Sequence, residues 1–71
     1  METFKGQVVE IAEDAELHWW QVSVRNKSGR VSLTTTDSEV KKTLEDAMEA
    51  KRDVTVTYEE RGDNLAITRA E

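Results

Sequence analysis

The feature that most constrains this chain is a change in the spacing of its apolar residues. Along most of the 71 residues apolar side chains recur at every second position, but in one central stretch they recur at every third or fourth. The first spacing buries one face of a strand and the second one stripe of a helix. From His18 to Arg25, Trp20, Val22 and Val24 share one face; Trp19, Gln21, Ser23 and Arg25 share the other. From Arg30 to Thr36, Val31, Leu33 and Thr35 alternate with Arg30, Ser32, Thr34 and Thr36. Val54, Val56 and Tyr58 then alternate with Thr55, Thr57 and Glu59, and Leu65 and Ile67 with Ala66 and Thr68. Between these pairs of strands, from Ser38 to Arg52, Val40, Leu44, Ala47, Met48 and Lys51 fall on one helical stripe.

The helix carries its own boundary signals. Thr36, Asp37 or Ser38 can act as N-cap, and Thr36 with Glu39 three residues on fits a capping box. Lys51 and Arg52 would close the last turn, where the helix dipole favours cations. Ahead of the paired strands, Thr3 to about Ala12 reads as a first strand whose alternation slips: Phe4, Gly6 and Val8 have one parity, Val9 and Ile11 the other. A one-residue slip beside a glycine is what a β-bulge produces, and a bulge bends its strand. A long bent strand can serve both halves of a small barrel. The clusters Asn26-Lys27-Ser28-Gly29 and Glu60-Arg61-Gly62-Asp63-Asn64 read as hairpin loops. With no proline, no cysteine, no repeat and no linker, the expectation is one domain over residues 1–71, held by its core rather than by disulfides.

The order strand, strand, strand, helix, strand, strand resembles the OB-fold. The resemblance rests on the bent first strand around Gly6-Gln7-Val8-Val9, the Val22/Val24 to Val31/Leu33 hairpin and the Val40/Leu44/Met48 helix. It spans nearly the whole chain and is one of topology and pattern. It implies a mainly β, partly open five-stranded barrel with a helix plugging one end between strands three and four. The aromatic RNA-binding signature of cold-shock proteins is missing. A β-grasp arrangement is the rival; it requires the first three strands to be only two, against the two loop clusters and the length of the helical stretch.

Charge is unevenly distributed. The chain carries a net −5. Residues 1–20 hold one lysine against five acids, whereas residues 21–36 hold Arg25, Lys27 and Arg30 with no acid. The second hairpin is thus a positive island in an acidic chain. Its outer face would present Trp19, Gln21, Ser23 and Arg25 from one strand and Arg30, Ser32 and Thr34 from the next, with Lys5 and Lys27 extending the strip. The OB-fold resemblance implies that this face is the ligand platform. An exposed indole beside cations can stack a base and pair phosphates of single-stranded DNA or RNA, each stack contributing ~1–3 kcal/mol. The same residue types anchor protein interfaces, so a heterologous chain or a second copy is the alternative partner. Trp20 shares parity with Val22 and Val24 and is expected in the core.

Other chemistry finds little support. His18 is the only histidine and there is no cysteine, so no conventional zinc set exists. Glu10, Glu13, Asp14 and Glu16 lack EF-hand spacing and read as a solvated loop. Arg61-Gly62-Asp63 spells an adhesion tripeptide, but the turn alone accounts for its glycine. No nucleophile stands at a recognisable spacing from a base, and no glycine loop cradles phosphate. The expectation is a soluble, cytoplasmic, non-enzymatic binding module with no cofactor and no metal. No apolar run is long enough for a membrane span and the N-terminus lacks the layout of a signal peptide.

Overall fold

The computed structural model describes residues 1–71. Five strands and one helix follow in the expected order: β1 (Glu2–Asp14), β2 (Trp19–Asn26), β3 (Gly29–Thr35), α1 (Ser38–Ala50), β4 (Asp53–Arg61) and β5 (Asn64–Ala70). The strands form one closed barrel in the spatial order β1-β2-β3-β5-β4, with β4 returning to β1. This is compatible with an OB-like fold, and the three strands preceding the helix exclude the β-grasp alternative.

The slip in the alternation of β1 marks where the barrel turns. Val8 pairs with Val24, but the next pair is Glu10 with Ser23, so Val9 is the extra residue of a bulge. Val9 is 37% exposed while Val8 is 3% exposed. Phe4, Gly6 and Val8 therefore face inward before the bulge and Ile11 packs on the core after it. The N-terminal half, Glu2 to Gln7, pairs with β4; the C-terminal half, Gln7 to Asp14, pairs with β2. Gln7 is paired on both sides. Beside it, Gly6 lets two backbones approach: a Cβ there would stand 2.5 Å from the Arg25 carbonyl oxygen.

The helix starts at Ser38 as expected, with one of the three expected caps, but ends earlier. Asp37 is the N-cap, accepting hydrogen bonds from the Glu39 and Val40 N–H groups at 2.8 and 3.4 Å. Asp37 in turn donates its N–H to the Thr35 hydroxyl at 3.2 Å. Asp37 rather than Thr36 being the cap, the Thr36–Glu39 box is not used. The helix ends at Ala50, so Lys51 and Arg52 lie beyond its last turn. Lys51 is left-handed at φ +56°, and the Arg52 N–H reaches back to the Ala47 carbonyl at 2.9 Å. This is the reversal with which many helices satisfy their last carbonyls. Gln7 ties the reversal to β1 by donating to the Lys51 carbonyl at 3.0 Å.

The core is Val8, Val22, Val24, Leu33, Leu44, Ala47, Val54, Val56 and Ile67, with Val40 and Met48 packed beside it. Leu44 and Ala47 come from the helical stripe; the rest are inward-facing strand positions. Trp20 keeps inward parity but is only half-buried. It lies near the end of β2, opposite Thr35, with the Lys41 ammonium 5.8 Å from its ring centroid. Its indole thus lies outside the buried core, with the helix's Lys41 over its ring.

Two substitutions test this packing. Gly6→Ala should destabilise the domain by about 1–3 kcal/mol, because a backbone carbonyl rather than a flexible side chain stands in the way. Leu44→Ala, at a fully enclosed position, should cost about 2–5 kcal/mol. Urea unfolding followed by tryptophan fluorescence measures both.

Candidate functional site

The residues expected on one continuous face separate into two ends and a middle. Gln21, Arg25, Lys27, Arg30, Ser32 and Lys5 are exposed. Ser23 and Thr34 are each only 8% exposed. The Ser23 hydroxyl accepts from the Arg30 guanidinium at 3.1 Å, so Arg30 lies across the face and covers it. Thr34 donates its hydroxyl to the Leu65 carbonyl at 3.4 Å, across the seam with β5.

The cationic end lies at the β2–β3 hairpin. Lys5, Arg25 and Lys27 converge on an open groove of about 560 Å³ that also includes Gln7, Asn26 and Asp53 and has no hydrophobic lining residue. Asn26 organises it. Its amide nitrogen donates to the Lys5 carbonyl at 2.8 Å and its amide oxygen accepts from the Ser28 N–H at 2.7 Å. The two-residue Lys27–Ser28 loop is thereby held against β1. Three cations face a single carboxylate, Asp53, in this groove.

The aromatic end lies six residues away along β2, roughly 20 Å at the rise of an extended strand. Trp19 is half-buried rather than free. It borders a small cavity of about 150 Å³ with Thr34, Thr36, Arg61, Asn64 and Ala66. Its indole N–H is enclosed and finds no acceptor within the protein, which is an unfavourable state for a buried donor. The parallel pairing of β3 with β5 brings these last residues in; alternation within single strands gave no sign of them. Arg61 is held by Glu59.

The connection before β2 is acidic and locally ordered. Asp14 accepts from the Glu16 and Leu17 N–H groups at 3.1 and 3.2 Å, and His18 takes a left-handed φ of +57° to lead into Trp19. Glu13, Asp14 and Glu16 thus stand at the aromatic end, far from the cations. No three acidic or histidine side chains converge on a point where a metal could be held. On the β1–β4 side, the Tyr58 phenol has its pKa raised, first by desolvation, then by hydrogen bonding to Glu2 and by that residue's charge. It lies with Met1, Glu2, Glu60 and Leu65 around a separate cavity of about 270 Å³.

No helix of the structure is long and apolar enough to cross a membrane. No protein-family model, no curated protein and no solved structure matches this chain.

The hairpin geometry is itself testable. Asn26→Ala should loosen the Lys27–Ser28 loop and destabilise the domain by about 1 kcal/mol, in line with two exposed hydrogen bonds lost. Amide exchange should quicken at Ser28 while the helix is unaffected.

Proposed function

We propose that this chain is a non-enzymatic, OB-like binding module of the cytoplasm that takes single-stranded DNA or RNA, largely without regard to sequence, on the outer face of β2 and β3. The observation that carries this reading is the convergence of Lys5, Arg25 and Lys27 on one open groove without a hydrophobic lining residue, in an otherwise acidic protein. Arg30, paired with Arg25 on the facing strand, lies outside the groove and over Ser23. Phosphates would sit at this end. The bound strand would run along β2 past Gln21 and Ser32 and place a base against the indole of Trp19. The interval of about 20 Å is comparable with the few nucleotides that occupy one barrel of this type. Backbone contacts without base-edge readout give affinity that is insensitive to sequence and sensitive to salt.

A protein partner, or a second copy, on the same face is favoured by a different observation. The Trp19 indole is half-buried with an unpartnered N–H, and the carboxylates of Glu13, Asp14 and Glu16 lie at its end of the face. A partner carbonyl could satisfy that N–H once the indole turned outward, and Trp is a common anchor of interfaces.

Titration with oligothymidylate at low salt separates the two. Under the nucleic-acid reading, resonances of residues 19–34 move, tryptophan fluorescence is quenched, and Trp19→Ala weakens binding by about 5- to 150-fold, the equivalent of one stacked base. Each phosphate engaged should contribute about −0.7 to the slope of log affinity against log salt. If none of those resonances moves, the nucleic-acid reading is wrong. Self-association that Trp19→Ala abolishes in light scattering would establish the homodimer instead.

A further inference from the structure

We infer that the uncovered edge of β3 accepts an extended acidic segment of another protein as an added strand. The inference does not depend on the nucleic-acid reading. It starts from the hairpin. The loop between β2 and β3 has two residues, Lys27 and Ser28, and its closing pair is Asn26 with Gly29. The closing pair of such a loop is hydrogen-bonded, and bonded pairs then alternate along the ladder. Gly29, Val31, Leu33 and Thr35 therefore turn their N–H and C=O groups toward β2. Arg30, Ser32 and Thr34 turn theirs the other way.

On that far side only Thr34 meets a strand, pairing with Ala66 of β5. Arg30 and Ser32 are exposed and have no strand opposite them. Beside Ser32 lies a cleft of about 280 Å³, lined by Gln21 of β2, by Ser32, Leu33 and Thr34 of β3, and by Asp63, Asn64 and Leu65 across the seam. Two backbone donors and two acceptors with strand spacing are thus presented, those of Ser32 at the cleft and those of Arg30 two residues nearer the hairpin. A peptide backbone matches that spacing; a sugar–phosphate backbone does not.

The flanking side chains define the occupant. Val31 and Leu65 face the interior but are only half-buried, so apolar side chains at alternate positions of an added strand would cover them. On the outer side the strand would pass Arg30, with Arg25 directly opposite Arg30 on β2 and Lys27 at the hairpin tip. Glutamate or aspartate at the intervening positions answers these three cations, against the single carboxylate of Asp63. A second copy of this chain is a poorer occupant. Antiparallel pairing of β3 with itself about Val31 would bring both sets of Arg25, Lys27 and Arg30 together, and like charges across strands are destabilising.

The test uses the full chain, isotope-labelled, and three probes: an alternating glutamate–valine hexapeptide, its lysine–valine counterpart and oligothymidylate. The glutamate–valine peptide should shift the amides of Arg30 and Ser32 and slow their exchange with solvent; the lysine–valine peptide should leave them unchanged. Ser32→Pro removes a donor that the barrel does not use and should abolish the response with the core spectrum retained. If that variant fails to fold, Arg30→Glu replaces it. This change should weaken the acidic peptide roughly tenfold and confer binding of the basic one. The inference is overturned by silence at Arg30 and Ser32 with millimolar acidic peptide, or by equal response to both peptides. It is equally overturned by dimerisation through β3, or by protection of these amides with oligothymidylate alone.

Discussion

The barrel closes because β1 hydrogen-bonds to β4 over its first half and to β2 over its second, and Gln7 is the residue where the two ladders meet. That crossing requires two backbones to come closer than side chains permit, and Gly6 against the Arg25 carbonyl is where they do so. The bulge at Val9 completes the bend by turning later side chains to the other parity. Everything on the β2–β3 side inherits its position from this strand. Asn26 is fixed to Lys5, and Lys5, Arg25 and Lys27 share a groove for the same reason.

Closure is unequal around the circumference. β1 has long ladders on both flanks, whereas β3 and β5 share a single ladder pair, Thr34 with Ala66. The ladders of β1 are antiparallel and extended, while the parallel seam joins strands separated by the whole helix and β4. The two consequences are an outer face divided into a cationic end and an aromatic end, and a length of β3 edge whose polar backbone groups have no strand beside them. The two ligands we propose, single-stranded nucleic acid and an extended peptide, are assigned to the first and the second respectively. Both would compete for Arg30, which lies on the face over Ser23 and also flanks the free edge.

The local grammar of this sequence was legible. Period-two alternation located β2 through β5, the four-three stripe located α1, and the slip at Val8-Val9 announced a bent, shared first strand. The parity of the two tryptophans was also legible, but their degree of burial was not. Trp19 shares a cavity with Arg61 and Asn64 at the facing ends of β4 and β5, and Trp20 lies under Lys41 of the helix; both outcomes depend on segments distant in sequence. The helix end was misjudged because Lys51 continues the apolar spacing with its alkyl stem while adopting a left-handed backbone. Ser23 and Thr34 looked like surface hydroxyls by parity alone. Arg30 and the β5 seam bury them, and neither contact has a signature within its own strand.

Native-state hydrogen exchange along β3 of the free protein tests the asymmetry most directly, since it reads each amide separately. The structure predicts alternating protection: slow exchange at Val31, Leu33, Thr34 and Thr35, and exchange near the unfolded rate at Arg30 and Ser32. Protection at Arg30 and Ser32 equal to that at Thr34 in a monomer would mean that β3 is paired on both sides along its length, contradicting the one-pair seam and removing the free edge.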